Sequence, residues 1–164
     1  MAAETLSLLA IKMFDYETSA GDLARSRIVV EGRSLHTVAA YQAIIQTPND
    51  EEALAEARGI LRIASRWRPL PDLMILITDD LDVAMRRTAE RERRFITADE
   101  QQIQRRAAHL YQKLAADDPA RIRILDRRLC DEPAAVHLMK EWISDAGEKV
   151  SCLRLPLLGD CLCE

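Results

Sequence analysis

Asp72-Leu73-Met74-Ile75-Leu76-Ile77-Thr78 decides the fold class. It follows Pro69-Leu70-Pro71, which ends any helix before it, and precedes Asp79-Asp80, a pair suited to capping the next one. A continuous apolar run of this length is too short for a buried helix. It predicts a strand over 72–78 covered on both faces, as strands of parallel sheets are.

Upstream, apolar residues at helical spacing predict a largely buried helix over 4–15, and Ser26-Arg27-Ile28-Val29-Val30 reads as a short buried strand leading into Glu31-Gly32-Arg33. Helices are expected over 37–45 and 51–66, separated by Thr47-Pro48-Asn49-Asp50. The second carries Arg58, Arg62 and Arg66 behind Glu52 and Glu56, a spacing that makes an ion-paired, solvated face. Downstream, Asp79-Asp80 opens a helix bearing the arginines from Arg86 to Arg94. Thr97-Ala98-Asp99-Glu100 has the spacing of a capping box for another, running to about residue 116. Arg121 to Asp126 alternates as a third strand, and Asp131-Glu132-Pro133 starts a helix to about Asp145 that Gly147 is placed to end. Strands alternating with helices imply an α/β fold with parallel strands and right-handed crossovers.

The chain has 164 residues, 48% hydrophobic and 30% charged, enough for one domain with its own core. A net charge of 23 − 27 = −4 excludes a generally basic nucleic-acid binder. No apolar run approaches the length of a membrane span and the start lacks the character of a secretory signal, so a cytoplasmic protein is expected. His36, His109 and His137 are dispersed and offer no metal-ligand pair, so no metal site is expected. Each reads as a surface or satisfied buried histidine, and Trp67 and Trp142 read as packing residues. Cys152, Cys161 and Cys163 crowd the carboxyl end instead of forming a distributed disulfide framework. Residues 1–147 form the expected domain and 148–164 a divergent tail, in which Val150 to Leu155 alternates like an added strand.

Several of these blocks also occur in the order and spacing of the thymidylate kinase family. Glu4-Thr5-Leu6-Ser7-Leu8-Leu9-Ala10 resembles that family's Glu-x-Leu-Leu-Leu-Phe-Ala helix. Ile28 to Arg33 followed by Ala40-Tyr41-Gln42 is similar to its strand, Asp-Arg motif and Ala-Tyr-Gln, and Pro71-Asp72-Leu73 to its Pro-Asp-Leu. Asp82-Val83-Ala84-Met85, the arginines ending at Arg94-Phe95, and Leu125-Asp126 extend the resemblance over residues 3 to 145. It implies a reduced P-loop-kinase-like parallel sheet flanked by helices. By position, Arg33 falls where the motif arginine meets monophosphate and transferring phosphate, Tyr41 and Gln42 beside the deoxynucleoside, and Arg87, Arg91 and Arg94 in the lid over the phosphates. Forked guanidinium groups suit a reaction that is mostly positioning and charge neutralisation.

The departures bear on catalysis. No Gly-x-x-x-x-Gly-Lys-Ser/Thr occurs, so the cradle for ATP phosphates and the magnesium-binding hydroxyl are missing, with the sheet's usual central first strand. Gly32 stands where the motif has aspartate, with Glu31 as a displaced carboxylate, and Met13 stands where the family has its base-contacting arginine. The expectation is a degenerate, non-catalytic relative with a nucleotide-binding, regulatory or dimeric scaffold role, no cofactor of its own, and a nucleoside monophosphate as ligand. A homodimer or partner chain would cover the open sheet edges. The alternative is the carboxyl-terminal part of a kinase that uses ATP and magnesium once a P-loop segment is supplied.

Overall fold

The computed structural model describes residues 2–25 and 28–153. Among these the chain runs α1 (Ala2–Arg25), α2 (Leu35–Gln46), α3 (Asp50–Ala64), β1 (Met74–Thr78), α4 (Leu81–Glu92), α5 (Ala98–Asp117), β2 (Ile122–Asp126) and α6 (Glu132–Leu153). β1 and β2 pair in parallel, from Met74 opposite Ile122 to Thr78 opposite Asp126, with α4 and α5 forming the crossover. The fold is mostly helical α/β with a small parallel sheet, a reduced P-loop-kinase-like architecture.

Local chemistry sets the helix starts. Asn49 Oδ1 accepts from the amides of Glu51 and Glu52 at 2.7 and 3.3 Å, and Asp80 accepts from the Val83 amide at 2.9 Å. The capping box at α5 has both halves, since Thr97 Oγ1 accepts from the Glu100 amide at 3.2 Å and Glu100 Oε2 from the Thr97 amide at 2.8 Å.

The core lies among helices. Ala53, Ala57, Ile60, Leu61 and Ala64 form one stripe of α3 and meet Leu35, Val38, Ala39, Ala43 and Ile44 of α2, with Ala107, Leu110 and Leu114 of α5 and Leu9 of α1 closing the cluster. Many of these side chains are alanines, so the helices pack backbone-close and the seam has no room for a larger residue. Ala57→Leu would cost about 1–3 kcal/mol by overpacking. Arg106 of α5 fastens the turn between α2 and α3. Its guanidinium donates to the Ile44 and Thr47 carbonyls at 3.0 and 2.8 Å and to Asp50 at 2.7 Å.

Several sequence expectations are corrected. Ile28, Val29 and Val30 do not form a buried strand; they take no part in the sheet and are 63%, 54% and 86% exposed. A β-branched run prefers extended backbone but forms a strand only beside a partner, and the described residues place none next to it. For the same reason the 72–78 strand is not covered on both faces, and Ile77 is 56% exposed. Gly147 does not end α6, which runs on to Leu153. A lone helical glycine costs only about 1 kcal/mol, which good helix formers on either side can offset. Residues 150–153 are therefore helical instead of an added strand, and 154–155, like Cys161 and Cys163, lie outside the described residues. Trp67 is exposed instead of packed, and Arg58 pairs with Asp117 of α5 at 2.7 Å instead of with Glu52 or Glu56.

Candidate functional site

Arg33 sits between Gly32 and the Ser34 cap of α2, with its side chain exposed and its backbone at φ 56°. An L-residue in this left-handed region costs about 1 kcal/mol, so the surrounding structure must hold it there. Four and eight residues on, Thr37 and Tyr41 follow on the same side of α2. Facing them on α5 are Gln104, whose Oε1 accepts from the Tyr41 hydroxyl at 2.9 Å, and Tyr111, which hydrogen-bonds Thr37. Burial pushes the Tyr111 phenol up, against the Thr37 hydrogen bond and the positive charge of Arg33, with Tyr41 adding to the rise. Arg33 and Tyr41 thus border one seam between α2 and α5. The start of α2 lies beside it, and Ser34 forms no side-chain cap there. Helix-start amides next to an exposed guanidinium make a place suited to an anion.

Gln42 points elsewhere. It is 4% exposed, and its Oε1 accepts from Thr5 of α1 at 2.9 Å and from Gln46 at 3.5 Å. The helical offset of one residue, about 100°, separates it from Tyr41 and turns it into the α1–α2 contact. The three arginines that the resemblance assigns to a lid each have carboxylates close by. Arg87 meets Asp79 at 3.0 Å, Arg91 meets Glu92 at 3.7 Å, and Arg94 meets Glu92 and the capping-box Glu100, both at 2.8 Å. Hydrogen bonds donated to Glu92 and Glu100 raise the Arg94 pKa, and those accepted from Thr97 and Arg94 lower that of Glu100.

Glu31 is the carboxylate nearest in sequence to Arg33. Arg68 grips both of its oxygens, with Nη1 at 3.1 Å from Oε1 and Nη2 bonded to Oε2, while Lys12 Nζ reaches Oε1 at 3.3 Å. Burial alone would raise the pKa of Glu31, but these two cations outweigh it and hold the carboxyl below its usual range. A carboxylate neutralised in this way does not fit a divalent cation. Among the described residues no group of His, Cys, Asp and Glu is arranged to hold a metal, and no helix is long and apolar enough to cross a membrane.

His36, one turn along from Arg33, is 3% exposed with Nδ1 unpartnered, so it is buried but not satisfied as expected. A cleft of about 190 Å³ lies far along the chain from these residues, at the start of the strands, lined by Leu70, Leu73, Arg123 and Trp142 among others. Ligands of parallel sheets bind at the opposite, carboxyl ends of the strands, and this cleft is smaller than usual ligand pockets of about 300–1,000 Å³.

Arg68, Gln104 and Tyr111 were not singled out in sequence. Tyr111 and Gln104 lie seven apart, on one face of α5, a signal that becomes readable only once α2 is known to pack there. Arg68, between Trp67 and Pro69, carries no sequence signal at all.

A protein-family model described as Thymidylate kinase matches residues 3–132. No curated protein and no solved structure matches the chain. The family match spans well over half of the 164 residues, and the chain belongs to the thymidylate kinase family.

Proposed function

We propose that this domain is a non-catalytic, cytoplasmic relative of the kinases that binds a nucleoside monophosphate for regulation or serves as a dimeric scaffold. Arg33 and the start of α2 receive the phosphate, and Tyr41 borders the nucleoside. Gln42 joins only where α1 releases its hydrogen bonds, and Arg87, Arg91 and Arg94 exchange carboxylate partners for phosphate oxygens. A second copy covers the exposed Leu6, Ile11 and Phe14 of α1, which are 64%, 55% and 65% exposed. The observation that carries the non-catalytic reading is Glu31 bound by Arg68 and Lys12 beside Gly32, which leaves no open carboxylate at the motif to hold magnesium.

One observation favours a second reading. The sheet has two strands among the described residues, with β1 paired on one side only and Ile28–Val30 exposed. A P-loop strand supplied from outside these residues would fill such a gap, and phosphate transfer from ATP would follow.

Calorimetry with thymidine monophosphate and with ATP, alongside a coupled assay for ADP release, separates the two. The first reading expects monophosphate binding that Arg33→Ala weakens about tenfold or more, through loss of a charge-assisted contact, and no ADP. ADP production by this chain alone sinks it.

A further inference from the structure

We infer that Arg68 is a positioning residue, clamping the Glu31-Gly32-Arg33 approach to α2 and thereby setting where the Arg33 guanidinium stands. The inference deepens the reading of Arg33 as a phosphate ligand and rests on it for its functional meaning. Arg68 lies in the turn after α3, where its amide bonds back to the Ala64 carbonyl at 3.1 Å. From there its guanidinium reaches three other points of the chain. It holds both oxygens of Glu31, donates from Nη1 to the Lys12 carbonyl at 3.4 Å, and lies 5.0 Å from the centre of the Tyr16 ring. The Lys12 ammonium closes the arrangement on Glu31 at 3.3 Å. The side chains of Arg68, Lys12 and Glu31 are only 12%, 21% and 26% exposed, so the cluster is screened far less than a surface ion pair.

The chemistry calls for arginine at this position. A planar fork can bind both carboxylate oxygens while its face lies over a tyrosine, whereas a lysine ammonium is a point charge that can do one or the other. The position in the chain makes the clamp matter. Ile28–Val30 pair with no strand among the described residues, so the approach to Arg33 gains no support there from the sheet. On the far side, the Ser34 carbonyl accepts from the Thr37 amide at 2.9 Å and anchors the start of α2. Only Gly32 and Arg33 bridge these two anchors, and the left-handed backbone of Arg33 is the reversal that the short bridge requires.

The test measures backbone ¹⁵N order parameters at Gly32 and Arg33 in the full chain, for the unaltered protein, Arg68→Ala, Arg68→Lys, Glu31→Gln and the exchanged pair Arg68→Glu with Glu31→Arg. Thymidine monophosphate is titrated into each by calorimetry. Order parameters near about 0.85 are expected to fall below about 0.6 in Arg68→Ala and Glu31→Gln, with those of α2, α3 and α5 unmoved, and to recover partly in Arg68→Lys and in the exchanged pair. Monophosphate affinity is expected to drop about tenfold in step. Unchanged order at residues 32–33 in Arg68→Ala overturns the clamp, and so does loosening spread evenly over the whole chain, which would mark Arg68 as merely structural. If order is lost locally while the unaltered protein binds no thymidine monophosphate at millimolar concentration, the clamp stands and the reading of Arg33 as a phosphate ligand falls.

Discussion

At the scale of single residues, Gly32 is the most informative departure. Its φ is not positive, and a Cβ built on it would meet no atom within 4 Å, so the backbone does not demand glycine there. Gly32→Asp is expected to leave thermal stability within about 1 kcal/mol, or to raise it slightly by restricting the unfolded chain. A melting temperature several degrees lower in Gly32→Asp would show that something other than local space selects glycine. The candidate residues were legible only in part. Tyr41 and Gln42 could be placed on a helix, and Arg33 just ahead of it, from spacing and resemblance, and helical spacing puts positions 37 and 41 on one side. Which of them faces an opening and which faces another helix depends on where α1 and α5 pack. That packing put Gln42 against Thr5 and left Arg33 exposed.

At the scale of elements, the joint between α2 and α3 depends on one side chain from a third helix. Arg106 is 16% exposed at its side chain and satisfies two carbonyls at the end of α2 together with Asp50 at the start of α3. Arg106→Ala is expected to cost about 2 kcal/mol, because acceptors left without their charged donor lose more than an average hydrogen bond. Arg106→Lys should recover less than half, since one ammonium cannot span three acceptors in a fork. Chemical denaturation of the three proteins checks this, and equal midpoints for Ala and the parent would refute it. Caps and capping box at 80 and 97–100 were readable because their partners sit within four residues. Arg106 was not readable, because its partners lie 56 to 62 positions away.

At the scale of the whole molecule, stability should depend on pH through His36. Burial depresses its pKa below the ordinary 6.5, and Arg121 adds to the effect against the pull of Asp118. With the folded pKa lowered, the unfolded chain takes up a proton first as pH falls. Stability present above about pH 6.5 is therefore lost on acidification below it, until the folded form also protonates. Melting curves from pH 7.5 to 5.5 should show a decline that His36→Gln largely removes. Parallel declines in both proteins would mean that other groups carry the dependence. The same contrast between local and distant partners divides what was knowable for the molecule as a whole. The α/β class, the caps at Asp80 and Thr97–Glu100, strands within 72–78 and 121–126, and the family were all legible in the sequence, because these rest on periodicity, short-range hydrogen bonds and ordered motifs; the length of α1, which runs to Arg25, and its largely exposed surface were not. Long-range packing is what keeps Ile28–Val30 outside the sheet, turns Gln42 towards α1, and brings Arg68 and Lys12 onto Glu31. A strand needs a neighbour and a buried charge needs a counter-ion, and in this chain both come from residues too far along the sequence for any local pattern to reveal.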